Sequence, residues 1–337
     1  MAGAGILALT VVLVDTVRFY RGASGVDDSS TVRIFKLFHA PLGFIIAGFG
    51  ALQALASAPL DNYWHTLYGI DIALWAPFHM MGITGAAIGN IGMVYIFASE
   101  AAIERKSAYP HRRILGLSVL EWGALIILAG LINFIFIGFL QFPVATFGLL
   151  LIPTYPLPLA VFGALALIGA SRLTYKPGAA TLTVFLLAFH TVFEELFVPW
   201  AIRTAVVQQG MSYRVPGQIP YFNATDALLP LVFIISALIV DGVAFWRQRK
   251  GYQLGGYTRG MWLLGVIITI PQLLVTPCLL LGSVDLPTVF LEQPGVTILP
   301  ELRLETALIA VPIILACGAL GAIAGASFGD IWHWNKQ

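Results

Sequence analysis

The sequence predicts an all-α fold: a polytopic integral membrane helix bundle of about nine transmembrane helices, one membrane domain over residues 1–337. Three observations predict it. Of the 337 residues 58% are hydrophobic and only 10% charged, where a soluble domain carries about 25% charged residues. Apolar runs of roughly 20 residues, the length that crosses a bilayer, recur along the chain. Lys and Arg alternate with those runs, as the positive-inside rule requires.

The first run, about 2–20, lacks a basic segment before it and is followed by Arg18 and Arg21. It reads as a retained anchor, not a cleaved signal peptide. The next runs are 36–57, 72–98 and 114–139. The fifth, 143–171, contains Pro143, Pro153, Pro156 and Pro158, which break or kink a helix. It is either one bent span or a half-helix with a re-entrant piece. The remaining runs are 179–201, 225–246, 260–282 and 304–327. Fifteen of the eighteen Lys and Arg residues fall on one side of this arrangement, with Arg203, Arg214 and Arg303 on the other. The N-terminus is therefore expected outside and the C-terminus in the cytoplasm. The setting is a multi-pass protein of a prokaryotic cytoplasmic membrane, in contact with the lipid bilayer.

Other classes lose support on the same reading. The chain shows no convincing internal repeat, which removes the main argument for an inverted-repeat transporter. Cys278 and Cys317 lie far apart in apolar runs, so they form neither a CxxC motif nor a disulfide framework. A net charge of +1 without a basic run gives nucleic acid no footprint.

The polar residues concentrate in "DNYWHTLYGIDIALWAPFHMMG", Asp61 to Gly82. In the predicted topology Asp61 and His65 occupy the outward loop between the second and third spans. His79 lies about two turns into the third helix, roughly 10 Å below its start. His190 and Glu194 form an i, i+4 pair on the sixth helix, with Glu194 and Glu195 at a depth similar to His79. Asp71 and Asp226 complete a cluster in the outer half of the bundle.

Ionisable groups at membrane depth face a cavity, a partner or a metal. Imidazole with carboxylate suits copper, zinc or iron, and the absence of thiolate disfavours a structural zinc cage. Asp61, His65 and His79, with Glu194 and His190, are the candidate metal ligands. The alternative is an interfacial hydrogen-bonding role: Asp61 capping a short helix from Asn62, and Tyr63, Trp64, Tyr68 and Trp75 as interfacial aromatics. Nearer the cytoplasmic side, Glu121 needs a partner and His39 lies at comparable depth. Asp15 and Asp241 have Arg18 and Arg247 within reach.

The pattern Asp61-x-x-Trp64-His65, followed by Pro77-x-His79, resembles the copper motif of the C subunit of the particulate methane and ammonia monooxygenases, over residues 61–82. The resemblance implies that Asp61, His65 and His79 hold copper. It also implies a subunit of an oxidising, oxidoreductase-type membrane complex with other membrane subunits as partners, its site near the outer face. Two further readings stay open from the residues. His79 and His190, on different helices, could clamp haem b or ligate a pigment in a respiratory or photosynthetic complex, whose subunit could also be purely structural. The outer carboxylates and histidines could instead form the entry site of a transporter or a metal-delivery protein.

Overall fold

A computed structural model describes residues 2–23, 31–69, 76–106, 112–140, 144–147, 150–153, 156–213, 219–222, 224, 227, 229–252, 260–281 and 304–331. Among the described residues the chain is all-helical apart from three short hairpins. The helices are α1 Ala2–Tyr20, α2 Leu42–Tyr68, α3 Pro77–Lys106, α4 Val119–Leu140, α5 Pro156–Thr174, α6 Ala179–Gln208, α7 Ile234–Arg249, α8 Met261–Leu281 and α9 Leu304–Ile331. Five segments are long and apolar enough to cross a membrane: Leu42–Tyr68, Pro77–Arg105, Ala179–Gln208, Leu229–Arg249 and Leu308–Ile331. Val119–Asn133, Leu159–Thr174 and Met261–Leu274 are shorter apolar helices. Among the described residues nine helices fall within or across the nine expected runs, and five segments have spanning length and composition.

The largest departures from the expected spans have local causes. The second helix starts at Leu42, not 36, because the antiparallel pair β1 Val32–Ile34 and β2 Phe38–Ala40 precedes it. Pro41, with φ −60° and ψ 137°, then holds extended backbone at the entry. It also ends later, at Tyr68, which makes the expected outward loop of Asp61 and His65 part of a helix. The third helix starts at Pro77, where the missing N–H costs nothing because the first-turn donors lack intrahelical partners anyway. The fourth starts at Val119, after β3 Arg113–Ile114 and β4 Leu117–Ser118. There Ser118 and Glu121 form a capping box: Ser118 Oγ accepts from Glu121 N at 3.3 Å and Glu121 Oε2 accepts from Ser118 N at 2.9 Å. The proline-rich fifth run divides into the hairpin β5 Val144–Phe147 and β6 Leu150–Pro153, then α5 from Pro156.

The chain falls into two compact units, one built on Met1–Gly138 and the other on Phe139–Ile331. The first holds two helix–hairpin–helix successions, α1–hairpin–α2 and α3–hairpin–α4. Arg33-Ile34-x-x-Leu37 and Arg113-Ile114-x-x-Leu117 occupy matching turns. His39, on β2, is buried and stacks on Phe19 with ring centroids 3.5 Å apart. Glu121 takes Arg105 Nη1 at 2.8 Å as its ionic partner, so the partner expected in His39 is an arginine of α3 instead. Asp15 pairs with Arg18 at 3.3 Å as expected.

Helices α2 and α3 pack antiparallel at backbone distance. A Cβ on Gly85 would lie 2.6 Å from Ala54 N, and one on Gly82 would lie 2.8 Å from Ser57 Oγ. A Cβ on Gly50 would collide with the Gly89 backbone. Small residues let the helices approach this closely, the usual device where lipid removes a hydrophobic drive for helix pairing. This register sets the site: one turn beyond the Ser57–Gly82 contact, Asp61 of α2 faces His79 of α3.

In the second unit α9 packs on α5 through Gly321 and Gly325, which face the carbonyls of Val161 and Leu165. Asp241 of α7 is buried and accepts hydrogen bonds from Ala180 N at 3.3 Å and Thr181 N at 2.8 Å. It caps the start of α6 from a neighbouring helix, where negative charge complements the helix dipole.

Candidate metal centre

Asp61 and His65 lie in the last turns of α2 and His79 in the first turn of α3. The i, i+4 spacing puts Asp61 and His65 on one helix face. His65 Nε2 lies 3.2 Å from Asp61 Oδ2, and His79 Nε2 lies 3.3 Å from Asp61 Oδ1. One carboxylate is thus flanked by two imidazoles, one on each oxygen, with the rings 5.8 Å apart. One ligand atom from each residue lies within 4.8 Å of the other two. The depth expected for His79 is corrected: it stands at the helix start, not two turns in, because Pro77 begins the helix.

The contact to His79 is close without being a hydrogen bond. Asp61 Oδ1 is buried and has no hydrogen-bond partner, although Nε2 is 3.3 Å away. Distance is satisfied and direction is not. For His65 the chemistry is more constrained. Its Nδ1 lies 3.1 Å from the carbonyl oxygen of Gly69, an atom that can only accept, so Nδ1 carries the proton of that bond. In the neutral ring Nε2 then presents a lone pair to Asp61 Oδ2. Lone pair against carboxylate is repulsive unless a cation or a proton lies between them.

A proton on Nε2 meets that requirement, and so does a metal ion. The two nitrogen–oxygen contacts, 3.2 and 3.3 Å, run to different oxygens of Asp61, and one ligand atom from each of the three residues lies close enough to the others for a shared ion. The His65–Gly69 bond would fix the tautomer of the imidazole if His65 held an ion. Gly69 can supply it because of its backbone: φ 85° and ψ 175° lie in a region open essentially to glycine alone. Its own N–H closes α2 by donating to His65 O at 2.9 Å. Side-chain exposures of 24% for Asp61, 23% for His65 and 29% for His79 leave a path for an ion to enter. Trp64 packs edge-on against Phe78, with centroids 5.9 Å apart, walling one side where α2 ends and α3 begins.

The residues of the expected outer cluster fall on both units. Asp61, His65 and His79 come together in the first unit. His190, Glu194 and Glu195 lie on α6 in the second, with His190 and Glu194 at the expected one-turn spacing. Asp71, Trp75 and Asp226 lie outside the described residues. Gly69 was missed by the sequence reading, although a glycine directly after a helical stretch is the usual signal of a C-terminal cap. No protein-family model, curated protein or solved structure matches the chain.

Proposed function

We propose that the chain is a copper-binding integral membrane subunit of an oxidising membrane complex, with Asp61, His65 and His79 as the ligands. The observation that carries this reading is the carboxylate held between two imidazole Nε2 atoms at 3.2 and 3.3 Å, in a geometry that leaves Oδ1 without a hydrogen bond. Two imidazoles and one carboxylate suit copper and leave coordination positions open. Copper bound there would supply one-electron redox chemistry toward a small substrate.

The protein's own groups have separable tasks. Asp61 neutralises charge and spans both imidazoles. The Gly69 carbonyl orients His65, and Pro77 sets the helix start that presents His79. Trp64 and Phe78 restrict water, which lowers the local dielectric and strengthens the attraction between ion and carboxylate. Partner subunits would supply electrons, and the site would open to the outer face of a prokaryotic cytoplasmic membrane. Haem ligation by His79 is favoured less, because its Nε2 already lies against Asp61.

The test is elemental analysis of the full chain purified without chelator, followed by titration with copper and, separately, zinc. One copper ion per wild-type chain, bound in preference to zinc and lost in His65→Ala and His79→Ala, is the expected result. Equal copper content in wild type and both variants would overturn the proposal.

A further inference from the structure

The end of the first unit opposite the triad carries two hairpins of one design. Because α2 and α3 are antiparallel, the start of α2 and the end of α3 share that end, and the 2.8 Å Arg105–Glu121 pair brings the start of α4 to it. Hairpin β1–β2 leads into α2 at Leu42, and β3–β4 leads directly into α4 at Val119.

Each turn places a bulky apolar residue in left-handed backbone at its tip. Phe35 has φ 50° and is 88% exposed; Leu115 has φ 50° and is 84% exposed. Left-handed backbone is uncommon for bulky residues and costs on the order of 1 kcal/mol, and type I′ turns favour Asn or Gly here. Folding stability therefore does not explain these side chains. Basic residues flank both tips: Arg33 and Lys36 on one, Arg112 and Arg113 on the other, all exposed. Neither hairpin contains an acidic residue.

Each hairpin is also tied down by an amphipathic aromatic side chain. Tyr20 Oη donates to Leu37 O at 3.0 Å, and Trp122 Nε1 donates to Ile114 O at 2.9 Å. Tyr and Trp are the residues that collect at membrane–water boundaries. Arg33 stiffens its own turn by donating through Nε and Nη2 to Lys36 O at 3.0 and 2.8 Å.

From these features we infer that the two hairpins are a paired docking surface for anionic phospholipid, with Phe35 and Leu115 entering the headgroup layer while the flanking Arg and Lys side chains meet lipid phosphates. Two arguments select lipid as the occupant. The hairpins are continuous with apolar helices, α2 being of membrane-spanning length, which places the tips at the bilayer surface. Their charge is uniformly positive, complementary to anionic headgroups. Leu37 and Ile114 are exposed beside the tips as well, but the surrounding cations suit a protein partner poorly, because a protein interface core is depleted of charge.

The test uses the full chain with Cys278 and Cys317 replaced by alanine and an environment-sensitive fluorophore on Phe35→Cys or Leu115→Cys. The probes are vesicles of phosphatidylcholine alone and of phosphatidylcholine mixed with phosphatidylglycerol, each carrying a headgroup-region spin-labelled lipid as quencher. Quenching of both labels, stronger with phosphatidylglycerol, is expected. Lys36→Glu and Arg112→Glu should each weaken the phosphatidylglycerol preference by about fivefold. Water-like emission without quenching would overturn the inference, as would equal quenching in both vesicle types. A label shielded from water but untouched by the lipid quencher would mean that protein covers the tip, and would overturn it too. The comparison of the two vesicle types needs no charge variant, so misfolding of those variants leaves it decisive.

Discussion

Asp61 and Glu121 are carboxylates at opposite ends of the α2–α3 pair, and their neighbours give them opposite chemistry. Glu121, 1% exposed, accepts from the Arg105 guanidinium at 2.8 Å and from Ser118 N at 2.9 Å. Both neighbours are obligate donors, so its charge is consumed in holding α3 against the start of α4. Asp61 instead meets two imidazole nitrogens, groups that can offer either a proton or a lone pair. A carboxylate ringed by obligate donors is structural, whereas one beside imidazole nitrogens can also serve as part of a ligand set. Proximity of charged and polar groups alone does not separate the two; hydrogen-bond direction does.

The most disruptive way to break the comparison is to separate the helices that carry both ends. Gly85→Val would drive a branched side chain onto Ala54 N, 2.6 Å from its Cβ, at an expected cost of about 3 kcal/mol. Thermal unfolding in detergent should show that loss, accompanied by loss of bound metal. Next, Arg105→Ala strands a buried carboxylate. The expected cost is about 2 kcal/mol, below the usual range for breaking a fully buried pair because Arg105 is partly exposed. Metal content per folded chain should hold in this variant. Asp61→Asn sharpens the contrast from the other side, with metal lost and stability changed by less than about 1 kcal/mol.

Gly69→Ala acts on one atom of the site. Alanine cannot hold φ 85° with ψ 175° without strain, so the carbonyl leaves the His65 ring. Metal affinity should fall about 10- to 100-fold, measured by competition with a chelator of known affinity.

Apolar runs located the helices seen among the described residues because long runs of uniform apolar composition are legible without geometry, and five of these segments have spanning length. Their ends were misplaced wherever turn chemistry interrupted the run. Ser118-x-x-Glu121 spells a capping box ahead of an apolar stretch, yet the hydropathy of Ile114 and Leu115 drew the expected span across the hairpin. Likewise Asp61 and His65 carry helical spacing, but the interfacial aromatics and the polar residues around them resemble a loop. The triad's membership was legible as a local pattern of residue types. Its geometry was not, because it depends on how closely α2 approaches α3, which Gly82 and Gly85 decide through three-dimensional register. Gly69 after a helical stretch signals a cap, but its contact with His65 rests on a backbone conformation, φ 85° and ψ 175°, that the signal does not specify.

The central claim is that His65 and His79 hold one ion together through Asp61, and pulsed electron paramagnetic resonance of the copper-loaded full chain tests it most directly. The account predicts modulation from the remote nitrogens of two equatorial imidazoles in the wild type, and of one in either His65→Ala or His79→Ala. A wild-type spectrum without imidazole nitrogen, or an imidazole count unchanged in both variants, would contradict it.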